Sequence, residues 1–154
     1  MSNIDFTKNI LDTRDIILRY EELYDERQSL VEDIEEAQEE LDNDSSDENE
    51  TQYQNAEKAL EDWIAEYQEE YESLDYIIDE VNGIDGSRYG ETMINENYFH
   101  EYIKSDQEDI VDRIIDSNFP LSSYLSFDWD SYISDCQMNY MFIETKEDAY
   151  WVRG

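Results

Sequence analysis

Residues 16–41 read IILRYEELYDERQSLVEDIEEAQEEL, and the spacing of their apolar side chains decides the fold. Ile16, Tyr20, Leu23, Arg27, Leu30, Ile34, Ala37 and Leu41 follow one another at alternating gaps of four and three. That spacing puts them on one face of an α-helix, as a seam for a packed partner. A second stretch supplies the partner, with Tyr53, Ala56, Leu60, Trp63, Tyr67, Tyr71, Leu74, Ile78 and Val81 again at threes and fours. Folding the chain about Ser45–Ser46 sets Leu41 against Tyr53, Ala37 against Ala56, Ile34 against Leu60 and Leu30 against Trp63. The same register sets Arg27 against Tyr67, Leu23 against Tyr71, Tyr20 against Leu74 and Ile16 against Ile78. One register closes the whole seam, which predicts an antiparallel helical hairpin with the Arg27 guanidinium on the Tyr67 ring.

The ends of the two arms carry their own signals. Asp12 or Thr13 is the expected N-cap of the first arm. From Asp42 to Glu50 there is no apolar residue, so a solvated turn is expected, with Thr51 and Gln54 as a capping box opening the second arm. Asn82-Gly83 closes that arm, and Gly83, Gly86 and Gly90 mark a joint over 83–90. The expected organisation is a hairpin over 1–82, the joint, and a C-terminal α+β module over 91–154. Ile4, Phe6, Ile10 and Leu11 suggest that residues 1–11 fold back as a short first helix.

In the module, residues 95–117 read as a helix with Phe99, Ile103, Ile110 and Ile114 on one face and Tyr102, Val111 and Ile115 beside it. Pro120 stops it. A shorter helix follows over about 127–138, burying Trp129, Ile133 and Cys136. Tyr140 and Phe142, then Tyr150 and Val152, change to strand spacing around Thr145-Lys146-Glu147-Asp148. They predict a two-strand hairpin that packs on the two helices. The fold class is mainly α with a small β component.

Composition narrows the function. The chain has 154 residues, 43 acidic against 10 basic, and a formal charge of −33. Nucleic acid and anionic membranes would repel such a surface, so neither is an expected partner. A basic partner, polyvalent cations or a high-salt setting would suit it. The lone Cys136 excludes an internal disulfide and fits a reducing cytoplasm. Met-Ser-Asn-Ile-Asp-Phe at the start lacks a basic, then apolar, leader. No run approaches the roughly 20 apolar residues of a membrane span.

No site of chemistry is expected. A calcium loop beginning at Asp42 would need Gly at its sixth position and Glu at its twelfth, where Asp47 and Tyr53 stand. His100 is the only histidine and has no second His or Cys to share a metal. Asp128 and Asp130 flank Trp129, but Asp128 reads better as a helix cap than as a general base. The sequence predicts no catalytic residue, no cofactor and no metal, and so no enzyme.

What remains is the charge and where it points. On the first arm Glu21, Glu22, Asp25, Gln28, Ser29, Glu32, Glu35, Glu36 and Glu39 face away from the seam, and seven of these nine are acidic. On the second arm Glu61, Asp62, Glu72, Asp79 and Glu80 do so. An arm of about 30 residues spans about 45 Å, and duplex DNA of that length carries about 26 charges. Residues 12–81 hold 27 acidic and four basic residues, a net charge of −23. The hairpin therefore approaches the linear charge density of DNA. Generic solubilising acidity explains the same number equally well.

The C-terminal residues add a second line. Phe127-Asp128-Trp129-Asp130-Ser131, then Met138-Asn139-Tyr140, and finally Tyr150-Trp151-Val152-Arg153 resemble the end of ArdA-type antirestriction proteins and related short phage proteins. The resemblance covers about residues 98–153 and leaves out the long hairpin. It implies a phage- or mobile-element-encoded DNA mimic, acting in the host cytoplasm by filling the DNA-binding groove of a defence enzyme. A restriction–modification enzyme is the first expected target and a CRISPR effector the second, with the twelve outward acids as the contact face. Exposed aromatics leave a homodimer open. The alternative is an acidic coiled-coil scaffold whose seam binds a basic or helical partner.

Overall fold

The computed structural model describes residues 3–83 and 90–153. It falls into two compact units, Met1–Ile4 with Asp15–Asp79, and Asp5–Arg14 with Glu80–Gly154. Residues 84–89 of the expected 83–90 joint, Gly86 among them, lie outside the described residues.

The first unit is the hairpin. Helix α1 spans Thr13–Asn43 and helix α2 spans Asp47–Val81. Contacts that climb one helix as they descend the other make the pair antiparallel: Glu40 to Asn49, Glu26 to Trp63 and Arg19 to Glu70. The seam faces are as expected, since every seam residue of both arms is buried or half-buried. Ile16, Leu23 and Leu74 are fully buried, and Trp63 nearly so.

The register differs from the expectation by about one helical turn. Tyr20, expected against Leu74, stacks on Tyr71 at 5.2 Å between ring centres, with the two hydroxyls 3.4 Å apart. The cation over the Tyr67 ring is Arg19, at 5.8 Å, and not Arg27. Arg27 lies along the seam with its Nε buried and without a hydrogen-bond partner among the described residues. The turn differs as well. Helix α2 begins at Asp47, so Thr51 is already helical and its hydroxyl donates to the Asp47 carbonyl instead of capping. Ser46 caps α2, its Oγ accepting from the Asn49 amide, and Asn49 Nδ2 donates to the Asp44 and Glu40 carbonyls at the end of α1. The connection shrinks to three residues, Asp44–Ser46.

The second unit holds strands β1 (Ile10–Asp12), β2 (Thr92–Asn95), β3 (Tyr140–Glu144) and β4 (Ala149–Arg153), with helices α3 (Glu96–Asp116) and α4 (Trp129–Gln137). They form one antiparallel sheet in the order β1-β2-β4-β3. The expected two-strand hairpin is thus half of a four-strand sheet. The expected first helix is replaced by β1, which pairs Ile10 with Ile94 and Asp12 with Thr92. A three-residue strand is held by what surrounds it. Tyr150, fully buried in β4, donates to the carbonyls of Phe6 and Lys8 at 2.9 and 2.7 Å. Burial raises the pKa of that phenol, so it stays a donor. At the other end Asp12 caps α1, its Oδ1 accepting from the Arg14 amide. Gly90, at φ +99°, leaves room for that carboxylate, because a Cβ there would sit 2.9 Å from Asp12 Oδ1.

Asn95 joins three elements and is buried with its polar atoms satisfied. Its amide donates to the Asn9 carbonyl, its Oδ1 caps α3 at the Asn97 amide, and its Nδ2 reaches Asp148 in the β3–β4 turn. Ile94, Phe99, Ile103 and Ile133 form the core between sheet and helices. Trp129 and Cys136, expected buried, are half-buried at its edge. Ile110 and Ile114, expected to continue the buried face of α3, are exposed. Among the described residues no helix is long and apolar enough to cross a membrane.

Removing the Tyr150 hydroxyl strands two carbonyls at the N-terminal segment. Tyr150→Phe is expected to lower stability in urea by about 1–3 kcal/mol. Hydrogen exchange should quicken first over residues 5–12, and unchanged exchange there would place the anchor elsewhere.

Candidate partner-binding face of the helical hairpin

The outward faces of α1 and α2 hold the acids read from the sequence. Glu21, Asp25, Glu32, Glu35, Glu36 and Glu39 on α1 are exposed, as are Glu61, Asp62, Glu72 and Asp79 on α2. Glu22 and Glu80 are half-buried. Glu22 is drawn inward by Arg19, whose Nη1 meets its Oε2 at 2.7 Å.

That arginine is the residue the sequence reading passed over. Arg19 lies inside the hairpin, where Nε and Nη2 grip Glu70 in a two-point pair at 2.9 and 3.0 Å. Nη2 also reaches Asn3 at 3.2 Å. A buried guanidinium with this many acceptors is a cross-brace between the arms. It sits one position before the Tyr20 of the seam, so the apolar period does not reveal it.

Arg19 holds Glu22 and Glu70, while several other acids of the two arms are held by neutral donors. Gln38 donates to Asp42 at 2.8 Å, Gln68 to Glu72 at 2.7 Å, and Gln54 to Glu50 at 3.4 Å, each across one helical turn. The Tyr53 hydroxyl donates to Glu57 at 2.7 Å and Trp63 Nε1 to Glu26 at 3.3 Å. Lys or Arg in these places would cancel the charge, whereas amides, phenols and indole fix the carboxylates and leave it. The tyrosines are themselves kept protonated. Hydrogen bonding to Glu57 raises the pKa of Tyr53, and hydrogen bonding to Glu66 raises that of Tyr67. For Tyr20 the hydrogen bond with Tyr71 comes first and burial second.

The acids also gather along shallow open clefts. One, of about 300 Å³, is lined by Asp33, Glu36 and Glu40 with Ala37, Gln52 and Ala56. Another, of about 380 Å³, is lined by Glu35, Glu39 and Asp42 with Ile34, Gln38 and Tyr53. A third, of about 490 Å³, brings Glu21 and Asp25 together with Tyr20 and Tyr24. Carboxylates beside aromatic rings receive guanidinium and ammonium groups well. Asp33, Glu40, Asp42, Tyr24 and Tyr53 are additions to the acids named from sequence. Tyr53 belongs to the seam and the others border it, where helical spacing alone does not separate in from out.

The other candidate positions belong to the second unit. His100 is exposed on α3, 3.3 Å from Asp130. Asp128 caps α4, accepting from the Ser131 amide and hydroxyl, and these bonds lower its pKa. Among the described residues no three His, Cys, Asp or Glu side chains stand together as a metal site. Set against protein-family models, curated proteins and solved structures, the chain matches none.

Removing one member of a buried ion pair strands the other. Arg19→Ala is expected to cost about 3–5 kcal/mol in urea unfolding, while Arg19→Met with Glu70→Leu recovers most of it. Equal losses in the single and double variants would show that the charge pair is not what braces the arms.

Proposed function

We propose that this chain is an acidic DNA mimic, which inhibits a DNA-binding defence enzyme by occupying the groove that normally holds DNA. A restriction–modification enzyme is the leading target class and a CRISPR effector the second. The observation that carries the reading is the way the hairpin keeps its charge. Acids stand exposed on the outward faces of both arms, and Gln, Tyr and Trp donors fix neighbouring ones without neutralising them. A surface built only for solubility gains nothing from withholding lysine, since like charges one turn apart cost a few tenths of a kcal/mol per pair. Lys and Arg that grip phosphates would meet carboxylates instead, and long-range attraction would speed the encounter. The resemblance of residues 98–153 to ArdA-type proteins points the same way.

The scaffold alternative needs an open seam. Here each arm's seam residues are buried or half-buried within the chain, so a helical partner would have to open the hairpin first.

Glu32, Glu35, Glu36 and Glu39 are all exposed on one arm. Their joint replacement by Gln keeps helix propensity nearly unchanged and relieves repulsion, so the variant should fold with equal or slightly greater stability. Binding to the target enzyme should weaken by about tenfold or more, with a shallower dependence on salt, as charge contacts are lost. A folded variant that binds with unchanged affinity and salt slope would remove this face from the mechanism.

A further inference from the structure

The stretch from Ser117 to Phe127 departs from the rest of the chain. Its 11 residues include no Asp, Glu, Lys or Arg, although 34 % of the whole sequence is charged. It carries Phe119, Leu121, Tyr124 and Leu125 instead, and all four are exposed, Phe119 at 84 % and Tyr124 at 85 %. The outer turns of α3 add Ile110 and Ile114, one turn apart and also exposed. From Lys104 to Tyr132 no residue is buried, while Ile103 and Ile133 on either side belong to the core. The stretch is nevertheless fixed. Asn118 Nδ2 and Ser117 Oγ donate to the Ile114 carbonyl at 2.6 and 2.8 Å, and the Leu121 amide donates to the Asn118 carbonyl at 2.8 Å. Hydrogen-bonded backbone thus holds large apolar side chains out in water, which is the composition of an uncovered interface core.

We propose that this face is a self-association surface, on which a second copy of the chain seats with two-fold symmetry, anchored by Phe119 and Tyr124. The occupant follows from charge. Two copies of formal charge −33 repel wherever their acidic helices approach. The uncharged stretch is where they meet without setting carboxylate against carboxylate. A two-fold axis lays the stretch on itself, so that each copy's aromatics cover those of the other. A basic partner is drawn to the carboxylates instead, and charge gives it no reason to choose the one long stretch that has none.

The proposal stands independently of DNA mimicry, and salt separates the two. Screening shortens from about 10 Å at 0.1 M to about 3 Å at 1 M, so salt weakens attraction between mimic and target but strengthens pairing of like-charged copies. Sedimentation equilibrium of the full chain should show a dimer whose dissociation constant falls as NaCl rises from about 0.05 to about 0.5 M. Phe119→Ser with Tyr124→Ser leaves the core untouched and should keep the circular dichroism spectrum. It should raise the dissociation constant about tenfold or more, as loss of interface anchors does. The Glu32, Glu35, Glu36 and Glu39 to Gln variant should pair at least as well as the parent chain. A monomer at about 0.5 M salt, or a dimer that the double Ser variant leaves unchanged, would overturn the proposal. So would a monomer whose binding to the defence enzyme is what the Ser variant weakens, since the face would then belong to the target.

Discussion

Repulsion among carboxylates is the constraint that the hairpin is built against. On α1 alone Glu32, Glu35, Glu36, Glu39 and Glu40 stand at the three- and four-residue spacings where side chains are neighbours. Each such pair costs a few tenths of a kcal/mol, whereas one fully buried large apolar side chain contributes about 1.5–3. A few good seam residues therefore outweigh many repulsive pairs. Leu23, Leu74, Ile16 and Trp63 supply that burial. Tyr20 and Tyr71 add a stacked pair that leaves its hydroxyls toward one another. Tyrosine suits this position better than phenylalanine would, since its ring fills the seam and its hydroxyl finds an acceptor on an acceptor-rich surface. Tyr53 with Glu57 shows that second use.

Arg19 completes the arrangement because apolar burial has no direction. A seam of Leu, Tyr and Trp tolerates sliding by a turn, and the two-point pair of Arg19 with Glu70 does not. This is where the sequence reading and the structure part. The period of apolar residues is local, and it located both long helices and the face each one buries. The register is set by a buried ion pair 51 residues apart and by the Ser46 and Asn49 bonds of the turn. None of these leaves a periodic trace. Arg27, the cation that does occupy a seam position, is not the one that binds across it.

The second unit repeats the lesson in β-structure. Strands β3 and β4 adjoin one another and their alternation was legible, as were α3, α4 and the Asp128 cap. Strands β1 and β2 have three and four residues and pair across about 80 positions of sequence. Too short to show alternation, they depend on long-range bonds such as those from Tyr150 to the carbonyls of Phe6 and Lys8. The outward acids of the hairpin were legible because helical geometry fixes which residues face out. The clefts where they gather with Tyr20, Tyr24 and Tyr53 depend on register, and so were not.

Charge links stability to binding on the proposed reading. The hairpin without a partner is weakest at low salt, where its carboxylates are least screened. That is also where a basic groove attracts it most strongly. Cationic side chains lying over Glu21 and Asp25, or over Glu35 and Glu39, would relieve the repulsion that bulk salt otherwise screens. Part of the binding energy would then be relief of strain already present in the uncomplexed hairpin, and the complex would be more stable to unfolding than the hairpin by itself. A rod held by lysine-rich salt bridges of its own would have no such reserve, because its carboxylates would already be paired. Fixing Asp42, Glu50, Glu57, Glu72 and Glu26 with Gln, Tyr and Trp therefore does two things at once. It holds the side chains in place before the encounter, and it leaves their charge for the partner to neutralise.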